Sequence, residues 1–384
     1  MLLLHTQRIC MRVPFIDLKR IVTPIREQVL ADWTECLDNT EFVGGPGVQM
    51  LEKKLEAYLE TTHVVACANG TDALVIGLQA LGIGHGAKVA VPNMTFWAPY
   101  EAIVQVGATP VLVDISPRDL QMDFEEFCRG HEKFKFDAAI LVHLFGWTSE
   151  NLENYRAYCK KHNIRLLEDG AQAFGVRKNN RSIYADAEIS TISFYPAKVL
   201  GAAGDAGAIM TPDPKLAEKI RSLCNHGRAG HYTYDYVGWN SRLSGLQARF
   251  LNRMIDQIDG MLASRIEAEN YYQEVFAKHT ADCIVHKAPQ GVRSNGYLCV
   301  LESRKRTGDD LSASLRDDGI GSARTYPQTL CEQPPAKDAL RTSDLAHSKR
   351  FSKMVINLPL FAGITLEECK ASADSLLKAF KVSV

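Results

Sequence analysis

Ser193-Phe194-Tyr195-Pro196-Ala197-Lys198 runs directly into Val199-Leu200-Gly201-Ala202-Ala203-Gly204-Asp205-Ala206-Gly207. The apolar run Ile189–Tyr195 reads as a buried strand, and its exit carries a lysine set among small residues. A second apolar run begins at Ala206. An amine at the exit of a buried strand, with glycines around it, suits a group that must reach a flat ligand, and it can form a Schiff base with a carbonyl. A lone loop lysine has a simpler reading as a solvated charge. Against that simpler reading stands the segment upstream, Leu166-Leu167-Glu168-Asp169-Gly170-Ala171-Gln172-Ala173-Phe174-Gly175.

Around these two segments, short apolar runs alternate with helix-patterned ones. The runs are His63–Ala68, Lys88–Pro92, Pro110–Ile115, Ala138–His143, Arg165–Glu168, Ile189–Phe194 and Ala206–Thr211. Helical spacing fills several of the gaps, as in Thr71–Leu81 and Asn151–His162. Strands joined by helices imply crossover connections, hence an α/β fold with a mostly parallel seven-stranded sheet flanked by helices. Ligands of such sheets bind at the carboxyl ends of the strands. The first such end is Ala68-Asn69-Gly70-Thr71. There a turn opens a helix whose free N–H groups and dipole favour an anion. Gly82-Ile83-Gly84-His85-Gly86 lacks the dinucleotide spacing and follows a helix rather than a strand.

The 384 residues exceed one ordinary core, so two domains are expected, a large one over 12–255 and a smaller C-terminal α+β one over 256–384, with 1–11 as an N-terminal arm. A long helix from Gly245 to about Phe276 links the two. Hydrophobic content of 46% and charge of 23% describe a soluble globular chain. A net charge of −1 without a long basic run leaves nucleic acid or an anionic membrane unsupported as partners. Ten scattered cysteines, none in a Cys-x-x-Cys pair, argue against zinc and against a disulfide framework, and so for a cytoplasmic location. Met1-Leu2-Leu3-Leu4 is too short for a secretory apolar core, and no membrane span is expected.

The motif E-D-x-A-Q-A-x-G at Glu168–Gly175, ahead of S-F-x-x-x-K at Ser193–Lys198, resembles the fold-type I pyridoxal 5'-phosphate (PLP) enzymes. More narrowly it resembles the DegT-like sugar aminotransferases, from about Val13 to Phe380. The resemblance implies PLP as cofactor, with Lys198 holding it as a Schiff base and later moving a proton. It implies that Gly70, Thr71 and the hydroxyl of Ser193 take the phosphate, that Phe96 stacks on the pyridine, and that Gln172 bonds the ring hydroxyl. Asp169 would meet the ring nitrogen. A carboxylate at a buried strand end is costly unless paired. A protonated pyridine about 4 Å away, at an effective dielectric near 20, returns on the order of 4 kcal/mol. That keeps the ring protonated as an electron sink. Without the lysine, Asp169 would read as a helix N-cap.

His143-Leu144-Phe145-Gly146 resembles a family H-L-[YF]-G, and His143 reads first as a satisfied structural histidine. Val237-Gly238-Trp239-Asn240-Ser241-Arg242-Leu243-Ser244 resembles the family's G-x-N-x-R-[LM]-S, where the Asn reaches a neighbouring subunit's phosphate. Asn240 in that role implies a homodimer with shared sites. The chain departs from the family pattern at Ala197, where Thr or Ser is common, and at Gly204-Asp205-Ala206-Gly207, where Gly-Glu-Gly-Gly is common. Tyr326-Pro327-Gln328-Thr329-Leu330-Cys331 resembles Y-P-x-P-L-H but lacks its second proline and its histidine.

The reading is therefore an aminotransferase that converts a keto- or aldehyde-sugar to an amino sugar with glutamate as donor, for cell-surface polysaccharide, lipopolysaccharide or antibiotic sugars. The expected substrate is a nucleotide-linked 3- or 4-keto sugar. The altered Tyr326 segment makes a nucleotide-free keto-sugar, such as an oxidised octulosonate, a rival. A PLP-dependent sugar dehydratase is disfavoured by the presence of Lys198. A non-catalytic PLP-binding regulator is the third reading.

Overall fold

The computed structural model describes residues 12–381. The arm expected at 1–11 lies outside the described residues. All seven expected strands are present, as β1 (His63–Cys67), β2 (Lys88–Pro92), β3 (Thr109–Val113), β4 (Ala138–Val142), β5 (Arg165–Asp169), β8 (Ile189–Ser193) and β9 (Gly207–Thr211). A small hairpin, β6 (Arg177–Lys178) and β7 (Arg181–Ser182), lies between β5 and β8. The later chain adds β10 (Cys283–His286), β11 (Val292–Arg293), β12 (Cys299–Ser303), β13 (Leu340–Arg341) and β14 (Val355–Leu358).

The main sheet has the order β1-β9-β8-β5-β4-β2-β3-β13. An eighth strand, β13, thus joins the seven expected ones, pairing parallel with β3 through Leu340↔Val111 and Arg341↔Leu112. Two residues carry no period, so no sequence pattern announces it. Only β9 runs antiparallel to its neighbours, β1 and β8. Side chains alternate across the sheet. Val64, Ala66, Ala139 and Leu141 pack with Leu51, Leu55, Phe127 and Tyr155 on one face. Val65, Cys67, Ile140 and Val142 pack with Leu74, Ile76, Ile103 and Ile220 on the other. Both faces being covered is why these strands read as continuous apolar runs.

The antiparallel β9 brings β1 beside β8 with their carboxyl ends together. Gly207 faces Ser193 on one side and Cys67 on the other. A Cβ on Gly207 would lie 2.5 Å from the backbone C and O of Asn69. The turn leaving β1 can dock there only because this position has no side chain.

The helix expected from Gly245 to Phe276 is two helices, Gly245–Ile255 and Ile258–Phe276. At the break Gln257 has ψ 0 and its N–H bonds Met254 O, three residues back. The second helix packs Tyr272 and Phe276 with Leu301, Leu311, Ile356 and Leu376 into a third core, around the sheet β10-β12-β14. Among the described residues no helix is long and apolar enough to cross a membrane, and every cysteine is free.

The helix Ile258–Phe276 buries Glu269, which accepts from the Ser294 hydroxyl. Burial pushes its carboxyl from 4.5 up to about 7, with the Ser294 bond pulling the other way. A carboxyl whose pKa is raised by folding is stable while protonated, so its contribution is lost as pH rises from the ordinary range to about 7 and is flat above. Glu269→Gln is therefore expected to match the wild type near pH 4.5 and to exceed it at pH 8, by roughly 3 kcal/mol at most. Denaturant unfolding at the two pH values measures this. Equal stabilities at pH 8 would contradict it.

Candidate active site

The carboxyl ends of β1, β4, β5 and β8 open onto one cavity of about 660 Å³. Its wall includes Gly70, Thr71, Phe96, Asp169, Gln172, Ser193 and Lys198. Asn240, the remaining residue singled out in the sequence, is not on it. That side chain is exposed and accepts from Arg242 Nη2 at 2.6 Å, and its backbone bridges to Asn225.

The turn after β1 presents an anion site. Asn69 caps the helix Gly70–Ala80, its side chain accepting from Asp72 N at 2.8 Å, while its carbonyl accepts from Ala73 N at 3.1 Å. Two first-turn donors, the N–H groups of Gly70 and Thr71, are left over for a ligand. A Cβ on Gly70 would lie 2.6 Å from Ser193 Cβ and 3.0 Å from its Oγ. The absent side chain is what lets the turn pack against Ser193, on the same cavity wall.

Asp169 ends β5 and is 4% exposed. Burial pushes its carboxyl above the ordinary aspartate range, against the Ala171 N–H that it accepts at 2.9 Å and the nearby Lys198 ammonium. Lys198 makes no ion pair among the described residues; its Nζ lies 5.4 Å from the centroid of the Tyr297 ring. The amine and the acid thus share one cavity and sense each other's charge. Gln172 is fixed at both ends: its Oε1 accepts from Phe145 N at 2.7 Å and its Nε2 donates to Tyr326 Oη at 2.8 Å. Phe96 is 58% exposed at the rim, its ring 6.3 Å from that of Tyr326.

His143 is fully buried beneath this wall. Its Nε2 is 3.1 Å from Glu168 Oε2 and its Nδ1 3.0 Å from Thr148 Oγ1. It is a satisfied histidine, its ring bonded to Glu168, the neighbour of Asp169, and its backbone N–H donating to Asp169 O at 2.9 Å.

Sequence reasoning gave no cofactor role to Thr95, Tyr297, Asp205 or Tyr326, all on the cavity wall. Thr95 is 4% exposed, and its Oγ1 is buried without a hydrogen-bond partner. Asp205 keeps a carboxylate where the pattern commonly has a longer one. Tyr326 stood in a quoted motif without a role. Tyr297 follows an Asn295-Gly296 turn signal ahead of β12, the one local cue that could have drawn attention to it.

The wall fits PLP on its own chemistry. It offers a glycine turn that a Cβ would fill, a free amine, a buried carboxylate on the same wall, an exposed ring, and an orphan hydroxyl. A model of the DegT/DnrJ/EryC1/StrS aminotransferase family matches residues 24–377. The chain belongs to this family. The aminotransferase is 33% identical to UDP-N-acetyl-3-dehydro-alpha-D-glucosamine 3-aminotransferase of Acidithiobacillus ferrooxidans, over 93% of this chain and 95% of that one. It is 30% identical to 3-oxo-glucose-6-phosphate:glutamate aminotransferase of Bacillus subtilis, over 97% of this chain and 85% of the other. A crystal structure of a DegT/DnrJ/EryC1/StrS aminotransferase from Brucella abortus superposes with a TM-score of 0.91 at 31% identity, covering 97% of this chain and all of that one. The mostly parallel sheet flanked by helices is the fold of these aminotransferases.

Proposed function

We propose that this enzyme transfers an amino group from glutamate to a keto-sugar, most plainly a nucleotide-linked 3-keto sugar, with PLP as cofactor. One observation carries the reading: Lys198 and Asp169, leaving adjacent strands, face the same cavity beside a phosphate-shaped turn. When bound, PLP supplies the carbonyl that carries the amino group and the ring that takes up an electron pair.

The chain's own groups divide the remaining work. The N–H groups of Gly70 and Thr71 and the hydroxyl of Ser193 would hold the phosphate, and the Phe96 ring would lie against the pyridine. The Asp169 carboxylate would keep a proton on the ring nitrogen, and the Gln172 amide would orient the ring hydroxyl. The Lys198 amine would hold the cofactor and, as a free base, would move a proton to and from the substrate carbon. Among the described residues the wall offers no cation besides Lys198, whereas glutamate and a sugar nucleotide are both anionic. This supports a homodimer in which the exposed stretch around Asn240 completes the neighbour's site. A nucleotide-free phosphorylated or acidic keto-sugar remains the second reading, favoured by the altered segment Tyr326–Cys331 and by the Bacillus subtilis relative's substrate.

The purified protein is expected to be yellow, and added glutamate is expected to bleach it. A keto-sugar that restores the colour is then the acceptor, so a panel of nucleotide-linked and nucleotide-free keto-sugars ranks the two readings. Colour that glutamate and other amino acids leave untouched would support a regulator and overturn the transferase.

A further inference from the structure

We infer that Tyr297 is a positioning residue for Lys198: its ring face keeps the amine in the active-site cavity whenever the cofactor does not hold it. The inference rests on the proposed role of Lys198 and concerns that amine when it is free. The Lys198 Nζ lies over the Tyr297 ring, 5.4 Å from its centroid. That is within the range at which an aromatic face attracts a lysine head group. The Lys198 backbone is tied down, its N–H donating to Tyr195 O at 2.8 Å, so the choice of position belongs to the side chain.

That side chain stands at a fork. Lys198 lines the active-site cavity and also a second cavity of about 370 Å³, and among the described residues it is the one common to both walls. The second wall is apolar, with Leu18, Val22, Trp33, Ala202 and Phe250, and its other charged side chain, Arg26, is of like sign. A four-carbon stem on rotatable bonds can turn either way. The second cavity suits the stem, whereas the first offers the amine an attraction. Asp169 and Asp205 share the first wall, yet Lys198 is ion-paired with neither, and the group beneath its amine is the ring.

The ring itself is a fixed part of the wall. Asn295 is fully buried, and its Nδ2 donates to Gln172 O and Phe174 O, both at 2.9 Å. Its backbone N–H donates to Gly146 O at 3.1 Å, and its Oδ1 accepts from Tyr297 N at 3.0 Å. Arg265 Nη1 donates to Gly296 O at 3.3 Å. The turn Asn295-Gly296-Tyr297 is thus tied to the loops that follow β4 and β5, the second of which carries Gln172. A fixed ring beside a mobile amine biases the amine between its two positions. Tyr297 therefore keeps the free amine on the side where the proton has to be moved.

The test uses the full chain, freed of cofactor and ¹³C-labelled at the lysine ε carbons, with the Lys198 signal assigned from its loss in Lys198→Ala. Protons over an aromatic face are moved upfield by its ring current, whatever the charge of the neighbouring nitrogen. The Lys198 ε protons are expected upfield in the wild type and in Tyr297→Phe, and at the ordinary lysine position in Tyr297→Leu. Lys133 over Phe134 at 4.8 Å and Lys219 over Tyr236 at 5.5 Å are references that neither variant should move. Tyr297→Leu is expected to attach added PLP about two- to fivefold more slowly, the factor that a lysine–ring attraction at a half-exposed site contributes. Tyr297→Phe should attach it at the wild-type rate. An ordinary position for Lys198 in the wild type would overturn the inference, as would an upfield signal that persists in Tyr297→Leu or an unchanged rate in that variant. Should Tyr297→Leu not fold, the wild-type and Tyr297→Phe spectra still decide. The ε signals are read without cofactor, so they stand apart from the proposed function, whose failure would appear as a wild type that PLP leaves colourless.

Discussion

Replacing Lys198 with alanine is expected to lower amino transfer by at least about 10⁴-fold, the scale seen when a covalent catalytic group is removed. The purified variant should be colourless, and borohydride should fix cofactor to the wild type but not to it. Among the described residues no other amine lines the cavity, so none there can take over the proton transfer. The fold should be indifferent to the change. Lys198 makes no ion pair among the described residues, and its amine lies 5.4 Å from the centroid of the Tyr297 ring. Unfolding free energy should stay within about 0.5 kcal/mol of wild type. Single-turnover assays with glutamate measure the first effect and denaturant unfolding the second. A variant that keeps both colour and turnover would remove the basis of the proposed chemistry.

Asp169→Asn is the second large effect, and its two consequences have opposite signs. With cofactor, the loss of a carboxylate at the ring nitrogen removes an attraction on the order of 4 kcal/mol, so amino transfer should fall by about 10³-fold. Without cofactor, the substitution should stabilise the protein. Burial raises the Asp169 carboxyl above its ordinary value. Its protonated form is therefore the one the empty cavity favours, and stability is lost as pH rises from the ordinary aspartate range to the raised value. At neutral pH the wild type carries that loss and the asparagine variant does not. Thermal unfolding of cofactor-free protein should place Asp169→Asn above wild type at pH 7, the gap closing towards acid pH. A buried group that costs stability until its ligand arrives is what a functional acid should look like. Among the described residues no helix follows β5 before β6, so the helix-cap reading of Asp169 gives way to a turn bond from Ala171 N; a variant less stable at pH 7 and as active as wild type would leave Asp169 with that turn role alone.

Much of this site could be read along the chain because its parts are local. Glu168–Gly175 and Ser193–Lys198 are each a strand end plus the turn that follows, and a strand end needs only its own apolar run to be recognised. Thr95, Tyr297 and Tyr326 could not be read that way. They come to the wall from different turns, and their position depends on packing between segments far apart in sequence. Asn295 makes the point: its Nδ2 bonds both Gln172 O and Phe174 O at 2.9 Å and so ties the Tyr297 turn to the loop after β5. The break at Asp256–Gln257 was equally silent, because no proline or glycine marks it in the sequence.

The sequence by itself determined the alternation of buried strands and helices, and with it a parallel sheet whose carboxyl ends carry a lysine, an acid and a glycine turn. Hydrophobic period and turn chemistry are properties of neighbours in the chain, so they survive without a structure. Only the tertiary structure decided the strand order, the two-residue edge strand β13, and the contact between Glu168 and His143 beneath the cavity wall. These depend on which surfaces meet, and a polar side chain's meaning is set by the partner it finds once water has been excluded.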